Sequence, residues 1–489
     1  MNTTRREFLN NVGLASVAMS AAAGCATTPA VAPVAKLAAG VESLAGAPMQ
    51  GFRTKPMAEI RVGLVGVGMR GWRALHRLSM VPGVRVTAMC DLFQDRLDRE
   101  RAWLKEYKKP AAKEYVGEEA YKALCESSDV DVVYVCTPWN LHVPVGLYAL
   151  NHGKHAFIEV PAAMTVDDCW ALVETAEKRK LHCMQLENSG YGQDELLALS
   201  LCRKGVLGTL CHAECGYIHD RRQGVFLDDY PKHWRMQWNV EHAGNQYPTH
   251  GIGPVCQCFD VNRGDRLDFL VSVDSLGGAY EAYANEVFKE GTKDAWKRDV
   301  KFKMGNMNIT TVKTVKGKTI LVEHDVCTAR PYTRINLISG TKGIFRAFPL
   351  RIHLETPQMK PGEHHTAFDP ELTEKYRQLY VHPLWKTAGK IAKEVGGHDG
   401  MDYLMDLRWA FCLKEGLPLD MDVYDLAATC SVCELSERSV NAGSAPQKVP
   451  DFTRGGWQTA KPLDLVNVDL QKMGFTKEQI ISGGASMKV

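Results

Sequence analysis

Two sets of residues have the types and spacing for chemistry. The first is Gly66, Gly68 and Gly71 in "RVGLVGVGMRGW", followed about 20 residues later by Asp91. A GxGxxG trio after a β-branched run allows a tight turn at the first glycine. The second lets backbone N–H groups approach a pyrophosphate, and the third lets helix and strand pack closely. Met69 and Arg70 belong to the same turn, and the helix that follows adds a favourable dipole and free donors. A carboxylate at Asp91 accepts hydrogen bonds from ribose hydroxyls and repels a 2′-phosphate, which favours NAD over NADP. Asp91 also suits the N-cap of "LFQDRLDRER". The second set is Tyr247, Pro248, Thr249 and His250 in "GNQYPTHGIGPV". It reads as a Gly/Pro-rich turn carrying a phenol and an imidazole, groups that work on sugars. One chain thus pairs a redox-cofactor site with a sugar-type site.

The elements that must position these groups alternate in the order that dinucleotide binding needs. "IRVGLVGVG" is a strand, "WRALHRLSMV" a helix and "VRVTAMCD" a second strand. A further strand, 131–136, leads into Thr137, Trp139, Asn140 and His142, which cross the carboxyl edge of the sheet. "HAFIEV" ends at Glu159 and Val160, residues 165–180 form a helix, and "HCMQLEN" ends at Glu187 and Asn188. Ligands of open parallel sheets bind at strand carboxyl ends, which places His142, Glu159 and Asn188 at the cofactor. From about residue 195 the pattern changes. "NITTVKTVKGKTILVEHDV" alternates about Lys316-Gly317 as a hairpin, "PYTRINLISGTKGIFRAFPLRIHLE" continues with strands, and "DGMDYLMDLRWAFCLKEG" is a helix expected to pack near the first domain. Tyr217, Arg235 and Tyr332 stand in other turns of this half. Singly each reads as packing. With Tyr247 and His250 they suit a carbohydrate, whose hydroxyls need donors and acceptors and whose C–H faces need rings.

Bulk properties exclude other classes. A net charge of +2 over 489 residues recommends neither nucleic acid nor an anionic membrane as partner. Arg5-Arg6, then Phe8-Leu9 and a weakly apolar run over 12–23, resemble a twin-arginine export signal. "AAGC" resembles a lipoprotein cleavage box with Ala22 where Leu is usual, so a lipid anchor through Cys25 stays open. Export of a folded, cofactor-loaded protein fits a dinucleotide site outside the cytoplasm, in the periplasm or on a membrane anchor. Residues 26–57 are rich in Ala, Pro and Gly and read as a linker, which leaves 58–192 and 193–489 as the two domains. The cysteines Cys430/Cys433 and Cys256/Cys258 read as buried core thiols. No HExxH or paired CxxC sets appear, so no metal is expected.

"TPWNLH" and "EVP" resemble the TPxxxH and EKP signatures of the glucose-fructose oxidoreductase/inositol dehydrogenase (Gfo/Idh/MocA) superfamily, with Val160 where the often catalytic Lys stands. "HWR", "YPTHGIGPV", "RPYTR" and "SERSVNAGSAPQKVPDF" are similar to glycoside hydrolase family 109, the NAD-dependent α-N-acetylgalactosaminidases, over roughly 58–455. The resemblance implies an α/β chain: a Rossmann domain, then an α+β domain with an open, mostly antiparallel sheet. It implies a tightly bound NAD that is regenerated each turnover. Hydride leaves C3 of the sugar, the C2 proton is removed, the C1 substituent is eliminated, water adds and C3 is reduced again. It also implies a glycan ending in α-GalNAc as substrate. Tyr217, Arg235, Tyr247, Pro248, Thr249, His250 and Tyr332 would meet the sugar, with Tyr247, His250 and Tyr191 as catalytic candidates. An exported sugar oxidoreductase and a non-catalytic sensor are the competing readings. Which base serves C3 and which C2, the anomer, and monomer against homo-oligomer stay open.

Overall fold

The computed structural model describes residues 48–227, 233–355 and 367–484. The twin-arginine segment and Cys25 lie outside them. Six parallel strands form the first sheet: β1 (Ile60–Val65), β2 (Val84–Asp91), β3 (Lys113–Val116), β4 (Val132–Val135), β5 (His155–Ile158) and β6 (Cys183–Gln185). Their order is β3-β2-β1-β4-β5-β6, so the direction of winding reverses between β1 and β4. The crevice at that reversal is where a doubly wound sheet takes its ligand. β4 and β5 are buried throughout, as expected of parallel strands covered on both faces by helices.

The second sheet has eight strands: β7 (Leu210–Ile218), β8 (Leu267–Asp274), β9 (Asn308–Thr314), β10 (Thr319–Asp325), β11 (Leu337–Gly340), β12 (Gly343–Arg346), β13 (Arg351–Leu354) and β14 (Gln447–Lys448). They run in the order β13-β12-β11-β7-β10-β9-β8-β14. All neighbours are antiparallel except β7 and β10. Residues of β9 alternate buried and exposed, which gives this sheet one solvated face there. The predicted hairpin is β9–β10.

Two C-terminal helices join the halves. The Val423–Asn441 helix packs on both β8 and the Val166–Arg179 helix. Cys430 and Cys433 are buried in it, and the Cys430 thiol lies 2.8 Å from Gln185 Oε1. The Met401–Glu415 helix packs against the Gly71–Leu78 helix and β1, as expected of that segment. The linker reading of residues up to 57 needs correction at its end. Met49 is 3% exposed and its N–H donates to Tyr424 Oη at 3.1 Å, while Met57 N–H donates to the Leu413 carbonyl. Low-complexity composition does not prevent a short segment from packing when an apolar side chain finds a slot. Among the described residues no helix is long and apolar enough to cross a membrane.

Candidate active site

The glycine turn has the shape its sequence predicts. Gly66 sits at φ +87°, and a Cβ there would come within 2.7 Å of the Cys136 carbonyl oxygen. A Cβ on Gly71 would lie 1.7 Å from Gly66 O, so only glycine permits this closure. Gly68 is less constrained: a Cβ would meet only the tip of the Arg96 side chain. Asp91 ends β2 and is buried. Its Oδ2 accepts from the Val67 N–H at 2.9 Å, and its Oδ1 from the Phe93 N–H at 3.1 Å. The N-cap of the Gln94–Glu106 helix is Phe93, so Asp91 is not the cap. Its carboxylate braces the glycine turn instead. A turn closed to side chains, an acid at the second strand end and an adjoining cleft fit a dinucleotide.

A cleft of about 370 Å³ starts at this turn and continues to the second sheet. At its nucleotide end stand Gly66, Gly68, Met69, Arg70 and Asp91. Its middle is lined by Thr137, Trp139, His142, Glu159, Val160 and Asn188. Its far end is lined by Tyr217, Arg235, Tyr247 and His250. The predicted groups are thus brought to one cavity, with five exceptions besides the buried Gly71. Asn140 is exposed and lies outside the lining. Pro248 and the fully buried Thr249 sit behind it. Tyr332 is 38% exposed on the rim, where its hydroxyl accepts from Arg334 at 2.7 Å. Tyr191 must be corrected as a candidate base. It is 2% exposed, its hydroxyl donates to Asp420 at 3.1 Å, and burial followed by the Asp420 charge pushes its pKa well up. A phenol held this way does not reach the cleft.

The "YPTH" segment also differs from the predicted turn. Thr249–Phe259 is an α-helix, and Pro248 precedes its first turn. Its glycines serve packing: a Cβ on Gly251 would lie 2.6 Å from Gly216 N, so this helix presses directly on β7. His250 is fixed by a partner the sequence reading did not single out. Glu187, fully buried after β6, accepts from His250 Nδ1 at 2.6 Å and from the Ser189 N–H at 3.1 Å. The Ser189 hydroxyl lies 2.6 Å from Glu187 Oε1 and 2.9 Å from the His250 carbonyl, and donates to one of them. Burial opposes the Glu187 charge, yet His250 and Ser189 bring its pKa below the ordinary carboxylate value. With Nδ1 donating to a carboxylate, neutral His250 keeps its lone pair on Nε2. His142 is different: Nδ1 lies 2.8 Å from the Pro161 carbonyl and Nε2 2.8 Å from the Thr137 carbonyl. Burial lowers its pKa, and the neutral ring, with a single N–H, donates to one of these two carbonyls of the cofactor edge.

Aromatic rings wall the far end. Tyr247 lies 4.5 Å from Tyr217 and 5.0 Å from His250 between ring centroids. Trp139 stands 5.1 Å from Trp234. The Arg235 guanidinium lies over Trp139 at 4.8 Å and Trp234 at 5.0 Å, a cation–π arrangement. Burial, then the neighbouring Tyr217, pushes the Tyr247 phenol well up, although Arg235 pulls the other way. The phenol is therefore neutral, with an O–H to offer.

A second unanticipated residue, Asp402, opens the Met401–Glu415 helix and is 1% exposed. It accepts from Arg70 Nη1 at 2.9 Å and His398 Nδ1 at 2.9 Å, and also from Asn188. Arg77 lies 3.4 Å away. Arg70 also donates to Glu159 at 2.6 Å, and Arg77 to Asp406 at 3.0 Å. A signal was there: two acids four apart on an apolar helix demand buried cations.

With this geometry in place, the comparisons define the class first. Residues 60–186 match the model of the oxidoreductase family with an NAD-binding Rossmann fold. A scyllo-inositol dehydrogenase from Lactobacillus casei with bound NAD(H) and scyllo-inositol superposes with TM-score 0.54 at 13% identity, covering 80% of this chain and 99% of its own. A levoglucosan dehydrogenase in complex with NADH and L-sorbose gives TM-score 0.56 at 16% identity over 81% and 100%. The fold is that of these oxidoreductases. Residues 191–459 match the glycosyl hydrolase 109 C-terminal domain. A glycosyl hydrolase family 109 protein of Solibacter usitatus is 44% identical over 85% of this chain and 93% of its own. One from Shewanella amazonensis is 43% identical over 94% and 99%. The chain belongs to glycosyl hydrolase family 109: it is a glycosidase built on an NAD-binding oxidoreductase fold.

Proposed function

We propose that this glycosidase removes terminal α-linked N-acetylgalactosamine by transient oxidation at C3, and that it keeps NAD tightly bound from one turnover to the next. The observation that carries this reading is the course of the cleft. It runs from the glycine turn to the Glu187–His250 pair, and among the described residues no carboxylate pair lines its sugar end. A direct hydrolase flanks the scissile bond with two carboxyl groups. The acids lining this cleft are Asp91, Glu118 beside the Asp91 turn, and Glu159, which is tied to Arg70. Bound NAD supplies a reversible two-electron oxidant for the C3 carbinol, which acidifies the C2 hydrogen and lets the C1 substituent leave.

The chain's own groups do the rest. Glu187 holds the Nδ1–H of His250 and presents Nε2 as the proton acceptor. The neutral Tyr247 phenol donates to a sugar oxygen, and Arg235 beside it meets hydroxyls. Trp139, Trp234 and Tyr217 pack on C–H faces and exclude water. Val160 lines the middle of the cleft where the superfamily's Lys would act, which leaves the proton to His250. We further propose that the chain is exported folded, with its cofactor in place.

The test uses purified protein, 4-nitrophenyl α-N-acetylgalactosaminide and no added NAD, in D₂O. The expected result is nitrophenol release, deuterium at C2 of the sugar, and close to one NAD per chain in the denatured supernatant. Product without deuterium removes the elimination route. NADH accumulating in step with product reassigns the chain to net sugar oxidation.

A further inference from the structure

Two guanidiniums at the sugar end have no acidic partner among the described residues. Arg235 and Arg221 both line the cleft, and both also line a recess of about 10 Å³ behind it, with Tyr217, Tyr247 and His324. Among the described residues neither side chain makes an ion pair or a hydrogen bond, and the Arg221 Nε is buried without a partner. Arg221 is held in place by its backbone, whose N–H donates to the Val326 carbonyl at 3.1 Å. Gly224 leaves it room: a Cβ there would come 3.0 Å from Nη2.

The neighbouring acids among the described residues are already committed. Asp220 pairs with Arg222 at 2.7 Å and Asp325 with Arg330 at 3.3 Å. Glu159 is bound to Arg70 and Glu187 to His250. Burial opposes the charge of Arg235, as does the like charge of Arg221, while the Tyr247, Tyr217 and Tyr280 phenols support it. Two like charges lining one cleft, without a counterion among the described residues, are costly to keep in a folded chain. A neutral sugar needs at most one such donor for its hydroxyls. A ligand oxyanion satisfies both, through charge-assisted and bidentate hydrogen bonds.

We infer that Arg221 and Arg235 form an anion subsite, and that the preferred substrate is a terminal amino sugar bearing a sulfate ester or a carboxylate. This inference rests on the proposed reaction, which needs a free hydroxyl at C3. The anion therefore sits at C4 or C6.

The test compares 4-nitrophenyl α-N-acetylgalactosaminide with its 4-sulfate, its 6-sulfate and its C6-carboxylate analogue. The purified holoenzyme is used in low salt. At least one anionic substrate is expected to exceed the neutral one in kcat/KM by about 10–100-fold, the worth of a charge-assisted hydrogen bond. The sulfate and carboxylate arms separate the two chemistries. In Arg221→Gln that ratio should fall towards one. Turnover of the neutral glycoside with no anionic preference overturns the subsite and leaves the proposed reaction standing. If no glycoside is turned over, inorganic sulfate still tests the subsite alone. It should quench the tryptophan fluorescence of the holoenzyme saturably, through Trp139 and Trp234, and Arg221→Gln should weaken this about tenfold or more. No saturable quench overturns it.

Discussion

The two ends of the cleft are built on opposite principles. At the nucleotide end two guanidiniums are matched within the protein: Arg70 by Glu159 and Asp402, Arg77 by Asp402 and Asp406. At the sugar end Arg221 and Arg235 have no acid among the described residues, and His250 Nε2 is left open by the pairing at Nδ1. Matched charges fix a shape that need not change during a reaction. Unmatched groups are available to a ligand, and the fold tolerates their cost because the matched end and the core supply stability. The difference separates a permanent seat for a cofactor from a surface that must bind and release.

The sharpest way to break the comparison is at His250. His250→Ala should lower kcat by about 10²–10⁴-fold, the usual worth of a general acid–base group. KM should change far less, because the loss falls on the transition state. Deuterium incorporation at C2 should slow in parallel. Glu187→Gln keeps a hydrogen-bonding side chain but removes the charge, so it should shift the pH–rate profile, a readout that a packing role would not move. An unchanged kcat in His250→Ala would place the proton transfer elsewhere.

The matched end is tested by Asp402→Asn. Burial opposes the Asp402 charge, yet Arg70 and Arg77 hold its carboxyl well below the ordinary range. Neutralising it leaves two guanidiniums short of an acid, which should cost about 3–5 kcal/mol of stability. Urea denaturation measures this, and NAD should be lost on gel filtration as Arg70 and Asn188 lose their anchor. A midpoint within error of wild type would mean the network is not stabilising.

How much of this was legible follows from how local each constraint is. Gly66, Gly71 and Asp91 were readable because a phosphate cradle is made by neighbours in sequence. Glu187 was visible as a strand end, but its role depends on His250, 63 residues away. Tyr191 looked available in "ENSGYG" because nothing local says which way a short 3-10 turn points its rings. Trp385 and Asp420, from distant segments, hold its carbonyl and hydroxyl in the core. The helix from Thr249 was hidden by its own glycines and Pro254, local breakers overruled by packing on β7.

Acid separates matched charges from buried neutral groups. Burial lowers His155, His324 and His382 from 6.5 to about 4, and His182 to about 3. Their folded pKa values lie below the unfolded one, so their contribution is complete above pH 6.5. It is lost as pH falls towards 4, because the unfolded chain takes up protons the folded one refuses. Each costs up to about 1.4 kcal/mol per pH unit in that window. The carboxylates of Asp402 and Glu187 stay ionised there, since both are held below their ordinary values. Burial also raises the carboxyls of Asp422 to about 7 and Asp194 to about 6, and their proton uptake works the other way. The urea midpoint should therefore fall between pH 6.5 and 4.5 by less than the four histidines alone would give, and a midpoint that does not fall would show that they do not outweigh these acids.

The smallest effect expected is at Asp91, where the matched end meets the ligand. Its Oδ2 accepts from the Val67 N–H and its Oδ1 from the Phe93 N–H, so the carboxylate supports the glycine turn as well as facing the cleft. Asp91→Arg removes both functions and should weaken NAD binding by about 1.5–3 kcal/mol, the worth of hydrogen bonds to a charged group. It should also relieve the repulsion of a 2′-phosphate and narrow the preference for NAD over NADP. Asp91→Asn separates the two functions. An amide oxygen still accepts from Val67 while the charge facing the ribose is gone, so the loss should be smaller and the turn intact. Equal losses in the two variants would show that Asp91 acts only through the charge it presents to the ribose. No loss in either would remove Asp91 from cofactor binding, both as a brace for the turn and as a partner of the ribose.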